Sequence, residues 1–361
     1  MPRTASRHSS TLSDYYKRII HTTHLLRGNF LYKINSGKPN KMKFFVLGYL
    51  KSMVPSIFFQ KRLNHVLEKA RKRDDYEYIL KRVDYYIKLN APFALSEKDE
   101  IRRGPAWIHY RGPFSKFTPK MFHSAYYLDQ LDVTRWFPQH LRWDFCPGDV
   151  YFTPPCPCIV KSRLLTEDNS NSVILKLDKL RHFLFVHDRK SFREKQDKVI
   201  FRGKIRSSRV RTAFLKKFIN HPVFDCGVVE SREDVPKEWE RPKRTIREHL
   251  DYKFIMALEG NDVASNLKWV MSSNCLAVMT RPTCETWFME GSLIAGYHYV
   301  EVKEDFSDLE EKIRYYTEHI QEAEDIIAHA HEYVSQFMDK EREEIIQLLV
   351  LQKYLRLSGQ Y

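Results

Sequence analysis

No apolar run in this chain reaches the ~18 residues expected of a membrane-spanning helix. The best candidate, FFVLGYLKSMVPSIFF, is interrupted by Lys51 and Pro55. The first thirty residues lack the apolar core of a secretory signal, so the expectation is a protein made and kept in the cytosol. Cysteine is sparse: six residues (Cys146, Cys156, Cys158, Cys226, Cys275, Cys284) in 361 do not form the framework of a disulfide-stapled domain. Cys156-Pro-Cys158 lacks zinc-ribbon spacing and has no Cys/His pair nearby, so buried free thiols are expected. Neither G-x-G-x-x-G nor G-x-x-x-x-G-K-[ST] occurs, which removes the dinucleotide fingerprint and the P-loop. Asp-x-Asp is absent as well, and no internal repeat stands out.

What is present points to a folded body with an unusual amino-terminal end. The chain is 43% hydrophobic and 14% aromatic, enough for a substantial core in one large domain or two. Net charge is +14, but residues 1–73 alone hold 16 Lys/Arg against 2 acids, while the remainder is balanced at 44 and 44. Such a segment suits nucleic acid or an anionic membrane, or it packs on the body as a helical extension. Apolar clusters between basic flanks, as in KFFVLGYLKSMVPSIFFQKR, favour the membrane surface.

Residues 61–90 suit one or two amphipathic helices, and 91–120 loop and short strand. HSAYYLDQLDVTRWFP suits a helix ending before Pro138, and NSVILKLDKLRHFLFV has strand character. From Lys198 the rhythm is regular. KVIFRG reads as a strand ending in Gly203, SRVRTAFLKKFI as a helix, and DYKFIMALEGNDVASNLKWVMSSNCLAVMT as strand, turn, short helix and strand. YHYVEVK reads as a further strand. SDLEEKIRYYTEH opens with Ser307 and Glu310 at capping-box spacing, and two more helices start near Gln321 and Lys340. Strands alternating with helices imply an α/β fold with a parallel sheet covered on both faces.

Two loops carry chemistry. Between Asp197 and Phe218 lie eight Lys/Arg and one Asp, following a strand, surrounding a glycine and entering a helix. Backbone N–H groups and the positive helix end suit phosphate there. Arg202, Arg206, Arg209 and Arg211 can add charge-assisted contacts, unless the stretch is an exposed basic helix face. The loop EGNDVASN is a second cradle of the same kind. His123, His182, His187 and His298 read as packing or surface residues, and Trp136/Trp143 as core rather than a sugar platform.

YKFIMALEGNDVASNLKWVMSSNCLAVM followed by ETWFMEGSLIAGYHYVEVKEDFSDLEEKI resembles glycosyltransferase family 90. The resemblance rests on Tyr252-Lys253-Phe254, Ala264-Ser265, Lys268, Leu276-Ala277-Val278, Glu285-Thr286-Trp287-Phe288 and His298-Tyr299-Val300. FREKQDK and FRGKIRSSRVR extend it upstream. WDFCPGDV…PCIVKSR…NSVIL looks most like the bacterial lipopolysaccharide branch, and the similarity runs from about Tyr126 to the C-terminus. It implies a two-lobed B-type fold with Rossmann-like lobes: a basic extension over 1–60, an acceptor-side lobe over 61–190, a nucleotide-sugar lobe over 191–335 and a closing helix over 336–361.

The resemblance further implies a nucleotide-sugar donor, usually a UDP-sugar, and a saccharide acceptor such as lipopolysaccharide core. A carboxylate must take the acceptor's proton, and cations or N–H groups must stabilise the leaving diphosphate. The matching carboxylate is Asp149, with Asp144 as its rival. Arg202, Gly203, Arg209, Gly260, Ser265 and Lys268 would hold the donor, and Glu285 would orient it or sit at a helix start. The family's Arg-Gly is Glu259-Gly260 here, so Arg206, Arg211 or Lys253 would supply the missing cation. Without Asp-x-Asp the expectation is transfer with no metal or other cofactor, inverting configuration, by an enzyme peripheral to the inner membrane. The competing readings are a protein O-glycosyltransferase, a nucleic-acid-binding module and an inactive scaffold.

Overall fold

The computed structural model describes residues 41–205, 208–230 and 235–361. Its strands fall into two five-stranded sheets and a two-stranded one. The first sheet holds β1 (Glu100–Arg103), β2 (Ile108–Pro113), β3 (Arg142–Cys146), β4 (Cys158–Val160) and β6 (Ser172–Ile174), in that spatial order. It is mixed rather than parallel throughout. β1–β2 and β2–β3 are antiparallel, β3–β4 and β4–β6 parallel. Only four residues join β1 to β2, and so short a connection allows only an antiparallel pair.

The second sheet meets the expectation of a parallel sheet. β7 (Gln196–Gly203), β8 (Phe224–Val228), β9 (Tyr252–Met256), β10 (Leu276–Met279) and β12 (Val300–Glu301) run in the order β12-β10-β9-β7-β8, every pair parallel. The helices Arg209–Phe218 and Leu267–Met271 make the crossovers after β7 and β9. Successive strand residues point to opposite faces. Val199, Phe201, Phe254, Met256, Leu276 and Val278 therefore pack in one cluster, while Ile200, Ile255 and Ala277 join the cluster that contains Trp143, Phe145 and Ile159 of the first sheet. The two sheets thus share apolar core. A small antiparallel pair, β5 (Ser162–Leu164) with β11 (Cys284–Thr286), adds main-chain bonds between the halves.

The Lys340–Leu357 helix returns to the first half. Its cap Asp339 accepts from Arg342 N at 3.0 Å, and its buried Glu343 pairs with Arg82 at 2.9 Å and Lys176 at 2.7 Å. Tyr354 Oη donates to Pro157 O at 3.0 Å and accepts from Asp144 N at 3.1 Å.

Several local readings change. The Ser307/Glu310 capping box does not form. The helix is Leu309–Glu318, and Asp308 before it accepts from Lys303 N at 2.9 Å. YHYVEVK contributes only Val300–Glu301 to a strand, and NSVILKLDKLRHFLFV only Ser172–Ile174 before the short helix Lys179–His182. All six cysteines are free, and only Cys156 is less than buried. Trp143 stacks on Phe145 at 4.4 Å, and Trp136 meets Phe59 edge-on, both as core. No single described helix is long and apolar enough to cross a membrane.

Candidate active site

β3 ends at Cys146, and Pro147-Gly148 turns the chain before Asp149. Gly148 has φ +112°, and a Cβ there would stand 2.2 Å from the Ala106 carbonyl oxygen. Only glycine fits that backbone. Asp149 N donates to the same carbonyl at 3.1 Å, and Val150 beyond it is fully buried. The turn is fixed on both sides, so the carboxylate is aimed rather than free.

It is aimed at the loop that follows β9. Asn261 Nδ2 donates to Asp149 Oδ2 at 3.1 Å. Lys161 Nζ lies 2.7 Å from Asp149 Oδ1 and 2.6 Å from Asp262 Oδ2. Ser162 Oγ donates to Asp262 Oδ2 at 2.8 Å, and Arg181 Nη2 reaches Asp149 Oδ1 at 3.2 Å. This explains why Glu-Gly-Asn-Asp interrupts two apolar segments: Asn261 and Asp262 engage a carboxylate and an ammonium supplied by the other half.

The charges are strongly coupled to this geometry. Burial alone would raise the Asp149 carboxyl. The Lys161 ammonium, Arg181 and the Asn261 amide reverse that and hold it well below the usual carboxylate range. Burial would likewise discharge Lys161, but Asp262, Tyr126 and Asp149 keep it well above the ordinary lysine value. Both groups are therefore ionised at neutral pH. Next to them His182 is buried, and neither ring nitrogen makes a hydrogen bond among the described residues. Burial, then Lys161, Lys268 and Arg181, keep its imidazole neutral, well below the usual histidine value.

The carboxyl ends of β7 and β9 lie side by side. Ser208 caps the Arg209–Phe218 helix by accepting from Arg211 N at 3.3 Å, and its hydroxyl donates to Glu259 O at 2.9 Å. Arg211 donates to Leu258 O at 2.9 Å and to Lys204 O at 2.7 Å, with its guanidinium against Gly260. Glu259, where the family's arginine was expected, accepts from Thr283 N at 3.0 Å and Cys284 N at 3.2 Å. The two cradles read from the sequence are thus joined directly. The cavity between Ala257, Val263, Ala264, Met279, Thr280 and Glu290 holds only about 10 Å³.

Other expected donor contacts are placed differently. Arg202 does not reach the loop. Its guanidinium runs back along β8 to Asp225 Oδ1 at 2.5 Å and Asp225 O at 2.7 Å, and Tyr252 Oη donates to the same carboxylate at 2.6 Å. Lys253 pairs with Asp197 and lies 5.2 Å from the Phe192 ring, since it sits near the start of β9 rather than its end. Lys268 is wholly buried in an ion pair with Glu290. Glu285 pairs with Arg163 at 2.7 Å and accepts from Tyr85 Oη, in the register that joins β11 to β5. Arg209 is exposed at the helix start, Ser265 is half-buried in the turn, and Gly203 closes β7. Arg206 lies outside the described residues.

Asp144, the rival carboxylate, is buried within β3. It accepts from Arg111 Nε at 2.9 Å and faces His109 Nε2 at 2.7 Å, with Cys156 Sγ at 3.7 Å. The His/Asp/Cys triad has the reach of a metal site, but Arg111 already neutralises the carboxylate and touches the Cys156 sulfur at 3.5 Å. Arg111, His109, Asp144 and Cys156 thus form one ion-pair and hydrogen-bond network around the buried carboxylate.

Sequence reasoning passed over Lys161, Arg163 and Arg181. A signal existed: IVKSRL places two cations inside an apolar run, and buried cations need acidic partners.

Residues 172–359 match glycosyl transferase family 90. The chain belongs to this family and is a glycosyltransferase, moving a sugar from a donor to an acceptor. Among its relatives is the O-glucosyltransferase LpsA of Dichelobacter nodosus, 38% identical over 320 residues, which cover 88% of this chain and 96% of that protein.

Proposed function

We propose that the enzyme transfers a hexose from a nucleotide sugar, a UDP-sugar in particular, to a saccharide acceptor of the lipopolysaccharide-core type. Similarity to LpsA favours glucose as the sugar. In this reading the molecule is a two-lobed B-type transferase, with an acceptor-side lobe over 61–190, a donor lobe over 191–335 and the closing helix over 336–361. One observation carries the reading: Asp149, from the first half, is hydrogen-bonded to Asn261 in the loop after β9. A base candidate from one sheet meets the phosphate-type cradle of the other, at the carboxyl ends of parallel strands where such sheets bind ligands.

Once acceptor and donor binding draws Lys161 and Arg181 off its carboxylate, Asp149 takes the proton of the acceptor hydroxyl as that oxygen attacks the anomeric carbon. The bond from that carbon to the diphosphate oxygen breaks, and the electron pair leaves with the nucleoside diphosphate. Attack opposite the leaving group inverts configuration. Charge on the diphosphate falls to backbone N–H groups of the two cradles, to Arg209, Arg211 and Ser265 at that edge, and to Lys268 if it is released from Glu290. These cations take the place of a divalent metal, so a chelator leaves turnover unchanged. The work is done at the cytoplasmic face of the inner membrane, where a lipid-linked acceptor is presented.

The test has two parts. A thermal-shift screen against UDP, GDP, CMP and their sugars identifies the donor by the largest rise in unfolding temperature. Asp149→Asn then retains that rise and loses turnover by at least about two orders of magnitude. Turnover preserved in Asp149→Asn, or no response to any nucleotide sugar, overturns the reading.

A further inference from the structure

The helices Lys41–Ser52 and Ser56–Arg71 meet at 90° beside Pro55. The first has no buried residue, although it contains Met42, Phe44, Phe45, Val46, Leu47, Tyr49 and Leu50. Of the 17 large apolar side chains exposed among the described residues, nine lie between Met42 and Phe58. Met42, Met53 and Phe58 are 74%, 77% and 60% exposed. A contiguous patch of this kind marks an interaction site, since scattered exposure would not concentrate on one corner.

The corner is nevertheless held firmly. Gly48 backs onto Leu128, where an added Cβ would stand 2.5 Å from Leu128 Cδ1. Arg135 Nη2 donates to Lys51 O at 2.7 Å and Val54 O at 2.8 Å, and its guanidinium lies 4.0 Å from the centre of the Phe59 ring. Leu63, Leu67 and Ala70 then carry the second helix into the core. One arginine thus clamps the bend and presents its apolar ridge outward.

Charge narrows the partner. Lys41, Lys43, Lys51, Lys61 and Arg62 border the ridge, and no acid occurs from Lys41 to Leu67. Packing bears on how it would meet a membrane. Twelve helical residues rise about 18 Å, against ~30 Å of hydrocarbon, and the second helix is committed to the core. The bent pair passes for a span by length and composition, but with Leu63, Leu67 and Ala70 of its second helix in the core it suits the surface of a bilayer better than a crossing.

We propose that Lys41–Phe58 is an interfacial anchor for a bilayer containing anionic phospholipid. Met53, Val54, Ile57 and Phe58 enter the boundary between headgroups and acyl chains, and the lysines meet lipid phosphates. The proposal rests on the lipid-linked acceptor reading for its purpose, but adsorption itself is independent of that chemistry.

The full chain is tested by co-sedimentation with vesicles of phosphatidylglycerol and phosphatidylethanolamine, and with vesicles of phosphatidylcholine alone. Binding is expected to the first and much less to the second, and it weakens in about 0.5 M salt. The double variant Met53→Glu/Phe58→Glu loses at least about tenfold in vesicle affinity, while its unfolding temperature and donor hydrolysis in solution stay at wild-type values. The anchor is overturned if wild type ignores anionic vesicles, or if the double variant binds them equally well. It is also overturned if the ridge proves to be a contact between two copies, shown by a dimer that the double variant dissolves, or a nucleic-acid surface, shown by duplex DNA binding more tightly than vesicles. Vesicle binding without transfer to a lipid-linked saccharide would sink the acceptor reading alone. Transfer without vesicle binding would sink the anchor alone.

Discussion

Replacing Lys161 with methionine removes the one ammonium shared by Asp149 and Asp262, at 2.7 and 2.6 Å. The carboxylate side chains are only 13% and 5% exposed, so water cannot take over its role. Arg181 then remains as the charged partner of Asp149, and Asp262 keeps the Ser162 hydroxyl as its hydrogen-bond donor and only the more distant charge of Arg181. Breaking a buried pair from one side costs about 3–5 kcal/mol. In a chain of this size that lowers the unfolding temperature by roughly 4–7 °C. The pH dependence follows from the sign of the shift. The Asp149 carboxyl is depressed, so its stabilising contribution is present above about pH 4 and is lost as pH falls through its folded value. Without Lys161 that value rises, and acid unfolding begins at a higher pH. On the proposed reading, in which Asp149 is the base and must be ionised, the acidic limb of kcat/KM moves the same way. The double variant Lys161→Met/Asp262→Asn removes a charge of each sign and recovers much of the stability, but it keeps the displaced acidic limb. Thermal unfolding and pH–rate profiles on all three proteins decide the matter. A single variant that unfolds within about 1 °C of wild type with an unmoved acidic limb would refute this reasoning.

Two further outcomes are expected. Gly148→Ala forces a Cβ to within 2.2 Å of a carbonyl oxygen at φ +112°. It should cost on the order of 1–3 kcal/mol and lower kcat by moving Asp149, with donor affinity in a thermal-shift titration little changed. The Asp129 carboxyl is pushed up to about 7 by burial, against the opposing pull of Lys179. A carboxyl raised in the folded state stabilises most below about pH 4 and has lost that contribution once pH has risen through about 7, so Asp129→Asn should flatten the fall in unfolding temperature between about pH 4 and pH 7.

The carboxyl-terminal half was open to reading because its signals are local. Ile200 and Phe201, Phe254 and Ile255, Ala277 and Val278 alternate between two clusters, and runs apolar on both faces mean buried parallel strands. Gly203 and the Glu259-Gly260 turn mark strand ends that the structure keeps. The mixed first sheet was less legible, since strands of three to six residues separated by prolines carry little period. Where each side chain points depends on partners distant in the chain. Arg202 stands at a phosphate-type strand end by sequence, yet Asp225, two rungs back along β8, captures it. Lys268 and Glu285 meet Glu290 and Arg163 inside the protein.

The buried cations that sequence reasoning passed over share a property that bears on future readings. Lys161 and Arg163 lie in a stretch whose neighbours are buried apolar residues, so they had to be paired, and the partners had to be acids. The acids set in apolar surroundings downstream are few, and Asp262 and Glu285 stand among them. In the structure these pairs join β5 to β11 and bring the loop after β9 to Lys161. The Lys41–Phe58 ridge obeys the opposite logic. Its composition alone is that of a core helix, and only its exposure, with Arg135 clamping the bend, turns apolar content into evidence for a surface. Pairing arguments are therefore strongest for charge inside an apolar run, while apolar residues flanked by charge need the structure before they say which side faces water.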